Sequence, residues 1–581
     1  MSLTTSLQIG RSALGASQLA IQVAGNNVAN AATPGYSRQV VGLSPTRDVQ
    51  AGNLFLGRGV QVSSIRRQVD AALQSRLQAG ISQQSLASTN LELASALEAT
   101  LGSLTETDVE SQLSRFFSAW SELANAPTDA ARRGLVVQQG VGLASYLRET
   151  RAALVQLRGQ VDTNLASAVT AADDLLTRVA ALNTEIVNTD GASGNANALR
   201  DQRDQVIAQL AELLDITTIE QASGSLDVLV GSTPLVLAGG SRGIRLAVEA
   251  SSSTTSVRVL TRDNEEELTI ASGRIGSLLD NRTTLVDDTL RRLDTLASQI
   301  IFQVNRAHSV GYGTTPLTGA TATRSIRSTD HTLAFNDPAN ETFASLPFGP
   351  VSGSFLVTVT NAATGASAQR RITIDLDGIT NAGAQGFADD TSLSSLAAQL
   401  AGVPNLSASI DGNGRLVIGA GAGYRVAFGD DSSGILATLG VNTYFTGTDA
   451  RDIGVRPELA STPGLLAAGR VEGGQPVDNA AARTIAALST AGVPALNGSS
   501  IGGFWTDAMT AIATRTGAAK TSLDAATVVK ENLEAQRASI SGVNIDEEAI
   551  NLLSYQRQYQ AAARFISAVD ELTQTLLSIA R

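Results

Sequence analysis

The chain is 581 residues long, with 43% hydrophobic, 17% charged and 4% aromatic residues, which suggests roughly three to five domains. A net charge of −12 with Lys and Arg dispersed along the chain argues against a nucleic-acid partner. With no cysteine, disulfides, thiolate metal sites and Cys nucleophiles are excluded, and the two histidines, His308 and His331, do not stand in a ligand spacing.

The first element is a helix. Leu3, Leu7, Gly10, Leu14, Ser17, Ile21, Ala24 and Val28 follow a 4-3-4-3 spacing, a heptad seam with small residues among the knobs. Asn26, Asn27, Asn30, Thr33, Pro34 and Gly35 then close it in a turn. Residues 69–101, 130–187 and 277–307 carry further helical stripes, among them Leu165, Ala168, Ala172, Leu175, Val179, Leu182 and Ile186. No aromatic residue occurs between Tyr146 and Phe302, which favours long aliphatic bundles over a compact enzyme core.

Two stretches switch to period 2. Residues 224–270 (Leu226, Val228, Val230; Val257, Val259) and 350–428 (Phe355, Val357, Val359; Ile372, Ile374; Leu416, Ile418; Val426, Phe428) read as antiparallel strands. A short helix over Leu393–Leu400 interrupts the second stretch. Helix returns over 448–540, after Pro457, Pro463 and Gly464. At the far end Leu552, Tyr555, Tyr559, Ala562, Ile566, Val569, Leu576 and Ile579 form another stripe. Ser541, Gly542 and Asn544 supply its turn and cap, and Asp546, Glu547 and Glu548 suit the positive end of the helix dipole. Residues 1–45 hold Arg11 and Arg38 and no acid, whereas 540–581 hold five acids against Arg557, Arg564 and Arg581. The two ends are natural partners.

The predicted fold class is therefore α+β and multidomain: an elongated helical rod built from both chain ends, with two inserted antiparallel β regions. The expected domains are 1–50 with 540–581 as terminal helices; 51–222, 272–318 and 448–539 as a helical rod domain; 223–271 as a small β region; and 319–447 as an outer β-rich insert.

Candidate chemistry is sparse. Gly419, Gly421 and Gly423 follow a strand but precede the alternation Tyr424, Val426, Phe428, so they read as a hairpin turn and not a phosphate loop. Asp375, Asp377 and Gly378 resemble half of a calcium loop, but the place of its bidentate Glu is Gly386. Asp411–Gly414 is a similar fragment, and since Asp-Gly and Asn-Gly favour hairpins, both are read as turns. His308 ends a helical run and lacks a nearby nucleophile or acid in sequence. No catalytic residue, metal ligand or cofactor is expected. No run of about 18 apolar residues suggests a membrane span, and no cleaved secretory signal is expected.

The terminal wording carries a specific likeness. Ala24–Gly25–Asn26–Asn27–Val28–Ala29–Asn30 with Thr33–Pro34–Gly35–Tyr36–Ser37–Arg38 resembles the N-terminal signature of flagellar rod, hook and hook-associated proteins. Ser541–Gly542–Val543–Asn544–Ile545–Asp546–Glu547–Glu548, followed by Asn551–Leu552, Gln556, Tyr559 and Gln560–Arg564, resembles their C-terminal signature. The Asp-Glu-Glu wording, and Leu439–Asn442 with Tyr444–Gly447, are similar to the hook-associated proteins of the junction and differ from rod and hook proteins. This resemblance implies a structural protein at the hook–filament junction, found outside the cell and exported unfolded without a cleaved signal. It further implies assembly with its own copies, hook protein and the third hook-associated protein, and an export chaperone at the C-terminal region. The residues expected at the assembly interface are Leu3, Leu7, Leu14, Ile21, Val28, Asn26, Asn27, Asn30, Gly35, Tyr36 and Arg38 at one end. At the other they are Asn544, Leu552, Tyr555, Tyr559, Ala562, Ile566, Val569 and Leu576. Other axial proteins, or a secreted adhesin or enzyme active in the β insert, are the alternatives; the last would need the His, Cys or Glu clusters that the insert lacks.

Overall fold

A computed structural model of the chain describes residues 3–51, 54–102, 108–191, 195–250, 255–472 and 475–579. Arg581, counted above among the C-terminal basic residues, lies outside them. Helix α1 (Leu3–Ala29) fills the expected span and ends where Gly35 turns with φ +80°. Strands β1 (Gln39–Pro45), β2 (Val49–Ala51), β3 (Leu54–Leu56) and β4 (Val60–Arg67) follow as nested antiparallel pairs, β1 with β4 and β2 with β3. The sequence did not announce them, because no side chain of β1 or β4 is fully buried and the period-2 signal is faint.

Four helices come next: α2 (Ala71–Leu101), α3 (Val109–Asn125), α4 (Ala130–Gly191) and α5 (Asn197–Leu213). Asp70 and Asp108 cap α2 and α3, accepting from the Leu73 and Ser111 backbone N–H groups at 3.1 and 2.8 Å. The predicted stripe of α4 is buried at Leu165, Ala168, Ala172, Val179, Leu182 and Ile186, with Leu176 taking the place expected for Leu175. Helices α3 and α5 lie within 51–222, the span expected to be helical, where the sequence shows no separate stripe for them. Strands β5 (Ile216–Glu220), β6 (Leu226–Val230), β7 (Thr233–Leu237) and β8 (Gly240–Ser241) make one sheet, and β9 (Ile244–Ala250) with β10 (Thr255–Thr261) a hairpin. The third helical stripe is α6 (Gly273–Asn281), a π-type turn at Arg282–Asp287, and α7 (Asp288–Ser309).

The second strand region contains β11 (Gly319–Thr321), α8 (Glu341–Ala344), β12 (Gly353–Asn361), β13 (Ser367–Ile374), α9 (Leu393–Ala401), β14 (Leu406–Ile410), β15 (Leu416–Ala420), β16 (Tyr424–Gly429) and α10 (Ile435–Leu439). It forms two antiparallel three-stranded sheets, β13-β12-β16 and β11-β15-β14. Phe355, Val357, Ile372, Leu416, Ile418 and Phe428 share one core with Leu393, Leu396 and Leu400 of α9. The Asp411–Gly414 turn is a hairpin as expected, joining β14 to β15 with Ile410 opposite Leu416. The Gly421–Gly423 turn is not. It lies between β15 and β16, which pair in different sheets, so the chain crosses from one sheet to the other there. The Asp375–Gly378 segment is not a hairpin turn either, since β13 leads through it into a long loop to α9.

The remainder comprises β17 (Phe445–Thr446), β18 (Gly454–Val455), α11 (Pro457–Ser461), β19 (Arg470–Glu472), β20 (Gln475–Val477), α12 (Ala480–Ala487), α13 (Ile501–Ser541) and α14 (Ile545–Ile579). The chain is thus α+β, with 55% of the described residues helical, long terminal helices and several small antiparallel sheets. Its contacts define two compact units. One gathers Met1–Leu93, Val161–Asn281 and Gly517–Arg581, with Leu73, Leu77, Ala211 and Leu533 in a shared core. The other gathers Ala94–Gln160 and Arg282–Thr516.

Candidate assembly interface

Helices α1 and α14 lie against one another, and small residues set the approach. The face of α1 buried within the chain is Gly10, Ala16, Ser17, Ala20, Val23, Ala24 and Asn27. A Cβ at Gly10 would stand 2.6 Å from Ile566 Cγ1, so only glycine admits that side chain. The predicted large knobs Leu3, Leu7, Leu14, Ile21 and Val28 are half-buried. On α14, Ala562 and Val569 are buried and Leu552, Tyr555 and Ile566 half-buried. Tyr559 is 37% exposed and Leu576 53%. Beside the seam runs an open apolar groove of about 430 Å³ lined by Ile9, Ala13, Ala20, Leu43, Val60 and Phe565, among others.

The signature residues form a hydrogen-bonded knot that ties the two ends together. The Asn27 side chain is buried; its Nδ2 donates to the Gln39 carbonyl at 2.9 Å and to Glu548 Oε2 at 3.1 Å. Asn27 Oδ1 accepts from the Gln39 N–H at 3.0 Å and from the Tyr36 hydroxyl at 2.8 Å. Arg38 reaches Glu548 Oε1 with Nε at 2.8 Å and Nη2 at 2.7 Å, and Glu547 Oε2 with Nη1 at 3.1 Å. The Arg38 N–H donates to the Ser541 carbonyl at 2.9 Å, fixing the turn between α13 and α14. Burial, reinforced by the negative charges of Asp201 and Glu548, pushes the Tyr36 phenol up to about 12, so it stays a donor at neutral pH. Gly35 is favoured by its φ of +80°, and a Cβ there would also displace the Gln205 amide, whose Nε2 donates to the Pro34 carbonyl at 2.6 Å.

Of the expected interface asparagines, Asn26 and Asn544 are exposed and Asn30 is half-buried. Asn30 Nδ2 donates to the Asn26 carbonyl at 2.9 Å, and Asn544 Oδ1 caps α14 by accepting from the Asp546 N–H at 2.9 Å. Glu548 stands in the first turn of α14, as expected, and the structure adds that it is 3% exposed and faces Arg38. Opposite it in sequence stands the lone arginine of the N-terminal turn, which was the available signal. Gly10 stands in the seam as its spacing predicts, whereas Gln205 has no such signal.

The other signature, Leu439–Gly447, serves packing. Tyr444 is fully buried, donates its hydroxyl to the Val136 carbonyl at 2.7 Å, and lies 5.4 Å from the Trp120 ring and 5.8 Å from Phe116. A Cβ on Gly140 would overlap the Tyr444 hydroxyl, so α4 meets this loop at a glycine. His308 is buried beside them. Its Nε2 accepts from the Ala467 N–H at 2.9 Å, so Nδ1 carries the proton and donates to the Asn442 carbonyl at 2.8 Å. Burial lowers its pKa to about 4. It clamps two loops more than it ends a helix.

The signature residues thus lock the terminal helix pair through an Asn–Tyr–Arg–Glu knot. The family model of the flagellar hook-associated protein FlgK helical domain matches residues 94–321. The models of the flagella basal body rod protein and of the flagellar basal body rod FlgEFG protein C-terminal region match 7–36 and 534–579. The chain is similar from end to end to flagellar hook-associated protein 1 of Escherichia coli, at 24% identity over 98% of both chains. It is also similar to that of Bacillus subtilis, at 23% identity over 98% of this chain and 97% of the relative. The flagellar hook junction protein FlgK from Burkholderia pseudomallei shares the fold, with a TM-score of 0.51 at 14% identity over 80% of this chain and 100% of that one. The resemblance to flagellar hook-associated protein 1 therefore holds across the chain, and with it a structural, hook-associated role in the bacterial flagellum. Among the described residues no helix is long and apolar enough to cross a membrane.

Proposed function

We propose that this chain joins the flagellar hook to the filament, is exported unfolded without a cleaved signal, and polymerises through α1 and α14. The observation that carries the proposal is the apolar exposure of α14. Ile550, Leu553 and Leu572 are each more than half exposed on one side of it, and Leu576 and Leu577 are equally exposed near its end. Burying such side chains against neighbouring copies would contribute about 1.5–3 kcal/mol each, whereas in a lone subunit they face water. The proposed assembly segments are 1–50 with 540–581; 51–222, 272–318 and 448–539 are proposed as a helical domain, and 223–271 and 319–447 as β-rich inserts. The proposed neighbours are further copies, hook protein and the third hook-associated protein, with an export chaperone on the C-terminal region before assembly. No catalytic role is proposed. Gold-labelled antibody against the chain should mark one narrow band between hook and filament in electron micrographs. Label along the filament or along the hook would favour another axial role.

A further inference from the structure

The loop from β13 to α9 holds a cluster that chain order conceals. The Asp375 N–H donates to Thr391 Oγ1 at 2.9 Å, and the Thr391 N–H returns to the Asp375 carbonyl at 2.7 Å. These bonds fold Asp390 back onto the Asp375–Gly378 run. One carboxylate oxygen from each of Asp375, Asp377 and Asp390 lies within 4.8 Å of the others. Asp375 and Asp377 are exposed, whereas Asp390 is 5% exposed. Asp390 Oδ2 accepts from Asn336 Nδ2 at 2.6 Å and from the Gly378 N–H at 3.1 Å. Asp390 Oδ1 is buried and has no partner, and the Asn336 and Asp389 Oδ1 atoms are buried and unpartnered too. A buried carboxylate oxygen without a donor or a counter-charge is costly. By contrast, the Asp411 turn satisfies itself, with Arg415 Nε donating at 2.9 Å.

We propose that Asp375, Asp377 and Asp390 bind a divalent cation of the calcium class. Oxygens about 2.4 Å from one calcium ion stand at most about 5 Å apart, a limit that the three carboxylates here meet. An all-oxygen set without His or Cys selects against zinc and copper. Three converging carboxylates exceed the one or two that usually hold magnesium, which favours calcium, and the two exposed members leave room for its further oxygen ligands. The buried Asp390 supplies the fixed ligand, and the exposed pair forms the way in. The ion would fasten the loop to the ends of β13 and α9. Absence of a Glu at Gly386 excluded only the loop type whose ligands follow one another closely; here the third ligand returns from the far end.

The test is calorimetric titration of the chelator-treated full-length chain with calcium chloride. One saturable site with a dissociation constant below about 1 mM is expected. Asp377→Asn and Asp390→Asn should each weaken it by about tenfold or more. Calcium should raise the melting midpoint of the parent and not of Asp377→Asn, an exposed position whose substitution leaves the core intact. In chelator, Asp390→Asn should melt at or above the parent, because the amide removes the unpaired charge. No saturable heat, unchanged affinity in Asp377→Asn, or a lower midpoint for Asp390→Asn in chelator would each overturn the proposal.

Discussion

Glu548 joins the two chain ends because a buried carboxylate must find donors, and Asn27 and Arg38 are the ones brought to it. Replacing Arg38 by Met leaves that charge half-satisfied and should cost about 3 kcal/mol, read as a lower urea midpoint by circular dichroism. Arg38→Met with Glu548→Leu should recover most of the loss; simple additivity would mean the two residues are not coupled. His308 makes a second prediction at this scale. Its folded pKa, about 4, lies below the ordinary 6.5, so the unfolded chain takes up its proton first as the pH falls. The clamp's contribution is complete above about pH 6.5 and is lost towards pH 4, amounting to about 2 kcal/mol between pH 7 and pH 5. His308→Gln should flatten that part of the stability curve, and an unchanged slope would contradict the assignment. The Asn, Tyr and Arg of the N-terminal turn were legible as wording, but their shared partner was not, because a contact 521 positions apart leaves no local trace.

Among the elements, α1, α4 and α14 were readable because each keeps one apolar stripe over many turns. β1–β4 and α5 were not, since their half-buried or charged positions blur the period. The Gly421–Gly423 turn shows the same limit differently: turn residues announce a reversal, but which strands pair afterwards is decided by the core they enter. The seam between α1 and α14 also depends on what glycine omits. Gly10→Ala would favour an isolated helix by about 1 kcal/mol. In the folded chain the added methyl meets Ile566 Cγ1 at 2.6 Å, and the overpacking should outweigh that gain, for a net loss of about 1–2 kcal/mol. Hydrogen exchange should then rise in both terminal helices, and Ile566→Ala in the same chain should lower the penalty. Gly10→Ala as stable as the parent would mean the helices separate freely at that point.

For the molecule as a whole, the family likeness, the α+β fold and the tied ends agree, while the polymerising role rests on the exposed apolar side of α14. Leu572 is 58% exposed there, so a carboxylate in its place stays in water in the free chain and becomes unpaired only when neighbours cover it, at a cost of several kcal/mol. The direct measurement is electron microscopy of cells whose only copy is Leu572→Asp, with the chain assayed in the medium and its fold checked by circular dichroism. The predicted result is bare hooks and folded chain released into the medium. Normal filaments on those hooks would show that this face of α14 is not an assembly surface.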